Sequence, residues 1–470
     1  LRFDLVVTAL IACMKTTIFF ALGLLSMQVQ AMDLLDTYQL ALSNDPAWRA
    51  TLNTYLAEQQ NERIAYGGLL TSASLSASGA RNRFDGKNAT DSRYYDNKRI
   101  GISARQPLFR PEAWQRYQQA KASNNLNEAK LQSDQQDLIL KVTEAYLNVL
   151  RAEATVDALK AEERALDRQN TMMTERFKAG LIAKTDVTEA LAQYQNARAN
   201  RISGEISVIS AREALAARIG QTVPTLTPLR EDMIYQAPYP NDMSAWVDLA
   251  KTRHPQMDVA RFQYEVAEKN RKVKLAAHKP TLDLVGSVSS SRQNFNTNPA
   301  FNTSDGDSYS LGLELNLPLY TGGQITASVR QASYQVDAAR EQLLAAERQV
   351  VAQARTAFLN IEADRSKIEA RQEAVSSGET VAKASQVGYE LGVRNIVDVL
   401  LAQRNAFAAK RDYVTARYDY VLNVVRLRAA AGQLTANDLA EVNTWLGDPR
   451  TTPAAESTDQ LPKTGTALDR

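Results

Sequence analysis

From Pro111 to about Lys178 the chain carries no glycine or further proline, and its apolar residues fall on a seven-residue beat. Leu131, Leu138, Ala145, Ala152, Leu159, Leu166 and Met173 mark one position, and Val142, Val149 and Val156 fill the interleaved one. This pattern predicts a coiled-coil seam whose small alanine knobs permit close approach. At ~1.5 Å per residue the helix is roughly 100 Å long, against a hydrocarbon core of ~30 Å, so it must project into water. Ile361, Ile368, Val375, Ala382 and Tyr389 keep the same period in a second long helix. Gly180 and Gly392 are placed to end these helices as left-handed caps. Return helices are predicted over Val187–Ile219 and Ile396–Ala431, stopping at Gly220 and Gly432. Thr185-Asp186 with Glu189 reads as a capping arrangement at the start of the first return helix.

A period of two replaces the helical period elsewhere. Tyr309 to Leu317 alternates apolar with small or polar residues, and Ile100 to Arg105 does the same. Thr71–Arg81 and Thr281–Ser291 are the strands preceding these. Polar loops, Asp85–Ser92 and Asn296–Asp307, join the pairs. Strands of about ten residues with one apolar and one polar face suit a transmembrane barrel wall. A half-buried antiparallel sheet alternates in the same way, and the pattern alone does not choose. Four strands cannot close a barrel, for which about eight is the practical minimum. Open edges are not tolerated in lipid. A membrane reading therefore requires several chains to share one barrel.

The chain is also written twice. Ala145-Tyr146-Leu147-Asn148 returns as Ala357-Phe358-Leu359-Asn360, Asp186-Val187 as Asp398-Val399, and Leu40-Ala41 with Pro46 as Leu249-Ala250 with Pro255. Each half reads helix, two strands, long helix, turn, long helix, and each opening helix is broken at its proline. The predicted division is a signal peptide over 1–31, a first repeat over 32–220 and a proline-rich equatorial linker over 221–242. A second repeat over 243–432, an equatorial segment over 433–446 and a disordered tail over 447–470 follow.

Composition narrows the function. The formal charge is +2 and hydrophobic residues make up 44%, so nucleic acid is not an expected partner. The two histidines, His254 and His278, have no metal-ligand spacing around them. Met14-Lys15, the apolar run Ile18–Leu25 and Val29-Gln30-Ala31 read as a cleaved export signal starting at Met14. The only cysteine, Cys13, lies ahead of it, so a mature chain from about Met32 has no thiol chemistry. No nucleophile, metal or phosphate-binding signature is present, and no enzyme activity or cofactor is expected.

Asp45-Pro46, Gln106-Pro107-Leu108-Phe109, Leu317-Pro318-Leu319-Tyr320-Thr321-Gly322-Gly323 and the turns Phe177–Asp186 and Gly388–Leu400 are specific motifs. Through them the chain resembles the TolC-family outer-membrane efflux proteins over about Met32–Leu446. The resemblance implies a homotrimer in outer-membrane lipid. Its fold would be an α+β membrane protein, a 12-stranded β-barrel continuing into a periplasmic 12-helix α-barrel with a mixed equatorial belt. The implied function is an exit duct for drugs, other small molecules or proteins. A periplasmic adaptor and an inner-membrane transporter of RND, ABC or MFS type would be its partners. It also implies that Asp186, Tyr389, Arg394 and Gln169 link the closed periplasmic end and that Asp398 forms an acidic constriction. The position of a second acidic ring is Leu401 here. Gly180, Leu181, Ile182, Gly392 and Val393 would meet the adaptor. The other function class compatible with long hairpins is a pore-free envelope scaffold or an adaptor. Two hairpins per chain and the absence of an anchoring residue in the mature part weigh against it.

Overall fold

The computed structural model describes residues 31–84, 93–295 and 305–447. The export signal, the loop Asp85–Ser92, most of the loop Asn296–Asp307 and the tail beyond Gly447 lie outside these residues. The first repeat comprises α1 (Leu34–Asn44), α2 (Pro46–Gly67), β1 (Ser72–Phe84), β2 (Arg93–Phe109), α3 (Pro111–Lys178) and α4 (Lys184–Ile219). The second comprises α5 (Met243–Arg253), α6 (Pro255–Ala276), β3 (Thr281–Phe295), β4 (Gly306–Asn316), α7 (Gln324–Glu390) and α8 (Ile396–Ala430), followed by α9 (Ala436–Trp445).

The predicted α3 helix forms over its whole length; of its seam, Leu138, Leu159, Leu166 and Met173 are buried, while Leu131, Ala145 and Ala152 are half-buried. Val142, Tyr146, Val149 and Met173 are fully buried, and no break residue interrupts the helix over its 68 residues. In α7 the seam is tight at Ile361 and Ile368, but Val375 and Ala382 are only half-buried. Nearer the tip Ser385 and Gly388 take over the buried line. The long helices form one layer. Below the equator α4 packs on α3, α3 on α8, and α8 on α7; above it the order is α2, α3, α6, α7.

At the equator α1, α5, α9 and the segment between the repeats lie along this layer. Leu226 and Leu229 are buried, and the Tyr146 hydroxyl accepts from the Thr227 N–H at 3.2 Å. The proline-rich stretch is thus a strap packed onto the helices.

The four strands form one antiparallel sheet in the order β1-β2-β3-β4. They run 11 to 17 residues, longer than the ten or so expected, because the ladders continue beyond the apolar segment. The exposed ion pair between Arg81 and Asp96, 2.8 Å, lies in that extension. Register sorts the two faces. Ser72, Ser74, Ser76 and Ser78 stand opposite Arg105, Ser103, Gly101 and Arg99, with Ser287 opposite Ser310. Ser74 meets Ser103 at 2.9 Å and Ser287 meets Ser310 at 2.7 Å. The other face carries Leu75, Ile100, Ile102, Leu282, Leu284, Val288, Tyr309, Leu311, Leu313 and Leu315. Leu311 is 79% exposed. The strands' extensive contacts are with one another, and no described helix covers the apolar face. Where sheet meets helices, Asp283 is 3% exposed. It is held by Arg105 at 2.8 Å and Arg110 at 2.6 Å, and Arg105 also reaches Glu314 at 3.0 Å.

The repeats dock alike. Each hairpin ends at a glycine in the left-handed conformation, Gly220 (φ 72°) and Gly432 (φ 67°), lodged against the helix break of its own half. A Cβ on Gly432 would come within 2.3 Å of the Arg253 carbonyl oxygen, whereas on Gly220 it would meet the Asn44 side chain at 3.1 Å. Gly432→Ala is expected to lower stability by more than the ~1–3 kcal/mol of the backbone strain alone. Gly220→Ala should cost less because a side chain can move, and thermal unfolding of the two variants compares them.

The breaks differ in chemistry. Asp45 caps α2 by accepting from the Ala47 N–H at 2.7 Å, while at the equivalent position His254 Nδ1 accepts from the Gln256 N–H at 3.1 Å. Only a ring nitrogen without a proton can accept. Burial pushes the His254 pKa below its usual 6.5, with Asp137 opposing. A lowered folded pKa means that the stabilisation is complete above 6.5 and is lost as pH falls through the lowered value. His254→Asn, which caps without titrating, should flatten the acid side of the stability profile measured by thermal unfolding.

Candidate functional site at the hairpin tips

Two turns close the helical layer at the end away from the sheet. After α3, Gly180 (φ 73°) reverses the chain, and the Leu181 N–H donates to the Arg176 carbonyl at 2.9 Å. After α7, Gly392 (φ 75°) does the same, with the Val393 N–H on the Gly388 carbonyl at 2.9 Å. These are Schellman closures, for which glycine supplies the left-handed residue without steric cost.

The starts of the return helices differ. Asn395 caps α8 through its side chain, which accepts from the Asp398 N–H at 2.8 Å. The expected Thr185-Asp186 cap does not form: α4 begins at Lys184 after Ala183, without a side-chain cap. The Asp186 N–H is already bonded to the Ala183 carbonyl at 3.2 Å. Asp186 lies in the first turn, where its charge still faces the positive end of the helix.

The tips are joined by an apolar cluster. Leu166, Met173, Ala190, Ala197, Ile396, Val399 and Leu400 form its buried part, with Ile182, Val187, Tyr194 and Tyr389 against it. Met173 is fully buried. The Tyr389 hydroxyl donates to Met173 Sδ at 3.4 Å, and the Arg176 guanidinium sits 5.4 Å from the Tyr389 ring centroid. Tyr389 thus spans from the second hairpin to the first.

The residues named from sequence fall into separate groups. Gln169 is 5% exposed, and its Nε2 has no hydrogen-bond partner among the described residues. Arg394 turns back into its own hairpin, where Nη1 donates to Ser385 Oγ at 2.7 Å and its stem lies over Gly388. Asp186 is partly buried, with no ion pair to another described residue in the chain. Asp398 is exposed, and Leu401 is exposed one turn further on. Leu181 and Val393 are exposed beside their glycines, while Ile182 is tucked into the apolar cluster.

Sequence reasoning missed Ser385, Gly388, Asn395 and Arg176. The small pair Ser385-x-x-Gly388 on one helix face was a readable sign of close approach, and Asn395 ahead of an apolar run was a readable cap. No group of His, Cys, Asp or Glu among the described residues is arranged to hold a metal. No described helix is long and apolar enough to cross a membrane.

The comparisons bear on the whole chain. Residues 37–221 and 246–433 match the family described as Outer membrane efflux protein, so the match falls on both repeats. The chain is 33% identical over 429 residues to Outer membrane protein TolC of Vibrio cholerae, covering 91% of this chain and 96% of that protein. It is 31% identical to TolC of Escherichia coli, covering 94% and 90%. It is also 31% identical to the Proteases secretion protein PrtF of Dickeya chrysanthemi, covering 88% and 91%. The fold is that of solved outer-membrane channels. VceC of Vibrio cholerae superposes with a TM-score of 0.71 at 19% identity, over 85% of this chain and 96% of that one.

The two helix starts make opposite predictions. Asn395→Ala should destabilise the second tip by about 0.5–2 kcal/mol. Thr185→Ala should have no measurable effect, and amide exchange at the two turns distinguishes them.

Proposed function

This chain belongs to the outer membrane efflux protein family, and we propose that three copies close into a single pore gated at the hairpin tips. The chain resides in the outer membrane and is an exit duct for efflux and type I secretion, a reading supported by its match to the outer membrane efflux protein family and by relatives named as outer membrane proteins and as a proteases secretion protein. The carrying observation is the sheet: among the described residues, its apolar face has no cover and its two edges, β1 and β4, have no partner. In hydrocarbon each unpaired backbone group costs several kcal/mol. Three copies joined edge to edge give twelve strands and leave no edge.

The helices favour the same closure. The flanking helix α4 exposes Ile202, Ile206 and Ile209 at helical spacing, and the opposite flank, α7, exposes Leu359, Val381 and Val387. One flank of a copy against the other flank of the next is a head-to-tail contact, which closes into a ring when the rotation permits. Twelve helices then surround a tunnel, with the strapped equatorial elements as its outer belt. The serine face of the sheet lines the barrel.

The gate lies at the tips. Tyr389 is anchored on Met173, Arg394 on Ser385, the Asp186 carboxylate accepts only from the Thr185 hydroxyl at 3.5 Å and has no ion pair among the described residues, and Gln169 Nε2 has no partner among them. We assign these four residues to links that close the entrance within and between copies. Exposed polar links contribute ~0–1 kcal/mol each, so three copies hold a closed state by a few kcal/mol, within reach of an adaptor's binding energy. Leu181 and Val393, beside Gly180 and Gly392, form the surface for a periplasmic adaptor, with Ile182 supporting it from within the cluster. An inner-membrane transporter of RND, ABC or MFS type supplies the cargo, which passes through unchanged. Asp398 supplies one acidic ring, and Leu401 leaves it without a second.

Planar-bilayer recording of the purified protein tests this reading. Tyr389→Phe with Arg394→Ser should raise single-channel conductance, and Asp398→Asn should reduce cation preference without enlarging the pore. Absence of channels from purified protein would sink the pore reading; an unchanged conductance in the double variant would sink the gate assignment alone.

A further inference from the structure

The ion pairs that join different helices below the equator stop at one level. In the first hairpin, Arg201 on α4 bonds Glu163 on α3 at 2.5 Å, and Glu205 on its own helix at 2.7 Å. Between the hairpins, Arg411 on α8 bonds Glu162 on α3. In the second hairpin, Arg371 on α7 bonds Asp412 on α8 at 2.7 Å. Glu162 and Glu163 are neighbours, as are Arg411 and Asp412, so the pairs form one chain across α4, α3, α8 and α7. The antiparallel register of α3 and α8 supports this: Glu144 pairs with Arg426, Arg151 with Asp419 and Glu162 with Arg411, while Met173 packs with Val399 and Leu400.

The two sides of this belt differ in kind. Toward the sheet, further cross-helix pairs continue, Arg212 with Glu153 at 2.5 Å and Arg151 with Asp419 at 3.0 Å. The signs along α3 and α8 alternate, so a one-heptad slip would bring Glu144 against Asp419 or Arg151 against Arg426. Toward the tips, over the ~22 Å that remain of α3, the described residues contain no ion pair between helices. Their one pair there is Lys178 with Glu175 on a single helix. Contact between the helices in this part is the apolar cluster, the Tyr389–Met173 hydrogen bond and Arg176 over the Tyr389 ring, with no charge pair to set the register. This part also holds three glutamine atoms without partners: Gln169 Nε2, Gln386 Oε1 and Gln403 Oε1. Glu162 is 3% exposed, so removing Arg411 would leave a buried charge unpaired, a far greater cost than losing an exposed pair.

We infer that Glu162, Glu163, Arg201, Arg371, Arg411 and Asp412 are positioning residues that form a collar, fixing the four helices of each copy at this level and confining movement to the segment below. The collar rests on the gated-tip reading for its purpose, but its existence is measurable without it. The four helices cannot shift relative to one another at the belt without parting several charge pairs together. Below it they can slide or splay on apolar contacts, and the glutamines gain partners when they do.

Hydrogen exchange on the full-length protein in lipid tests this, alongside conductance. In the unmodified protein, amide exchange should step at the collar in all four helices, with protection above it higher by roughly tenfold, the factor that ~1.4 kcal/mol produces. Tyr389→Phe with Arg394→Ser should raise exchange only below the step. Arg411→Gln should move the step in α3 and α8 toward the Arg151–Asp419 level. Arg371→Gln, which opens a more exposed pair and leaves the buried Glu162 paired, should move it in α7 and serves if Arg411→Gln fails to fold. A smooth gradient without a step, or a step left in place by Arg371→Gln and by any folded Arg411→Gln, overturns the collar. If the tip variant leaves conductance unchanged while the step stands, the gate assignment fails and the collar survives.

Discussion

Backbone hydrogen bonding in hydrocarbon constrains everything else in this molecule. Among the described residues, a single chain contributes a four-stranded sheet with two open edges and an apolar face that no helix covers. The apolar face is not tolerable in water, and the open edges are not tolerable in lipid. In the proposed assembly, sharing one barrel among copies removes the edges, and lipid covers the face. The helices inherit that geometry. They leave the sheet at Pro111 and through Gly322-Gly323, and the Asp283–Arg105–Arg110 network joins β2 and β3 to the start of α3. Whatever number of copies closes the sheet must also close the helical layer, whose two flanks expose apolar residues.

Duplication supplies that closure economically, and the departures from it carry the chemistry. Both halves end a hairpin on a left-handed glycine docked at a helix break, so the architecture repeats. The caps do not: aspartate holds one break and histidine the other. Asparagine starts one return helix, and the other starts without a side-chain cap. Arg394 is bonded inside the second hairpin, and the first hairpin has no equivalent bond. In the proposed three-copy ring, such halves give six similar walls but two kinds of tip, which allows one hairpin to frame the other.

The periodic parts of this fold were legible from sequence. The α3 boundaries, the proline breaks, the four strands and the glycine-ended hairpins follow from spacing, because burial on one face repeats at the pitch of the element. The strand lengths were underestimated because the apolar segment ends before the ladder does, and backbone pairing needs no particular side chain. The cap at Thr185-Asp186 was misread because the helix starts earlier and the Asp186 N–H is bonded within it. At the site, the family resemblance named residues such as Arg394 and Gln169 but not their neighbours within the chain. The contacts of Arg394 with Ser385 and Gly388 emerged only when α7 and its turn were seen packed together.

The sequence by itself determined the elements, their order, the two-fold repetition and the separation of an apolar from a serine-rich sheet face. These depend on intervals of a few residues, which the chain states directly. Only the tertiary structure decided that Tyr389 rests on Met173, that Gln169 is buried without a partner for its Nε2, and that Glu162 meets Arg411 at the level of two other pairs. Each of these joins residues more than two hundred positions apart or depends on what surrounds a side chain. Such contacts follow from the register of helices against one another, a property of packing between elements that no local pattern encodes.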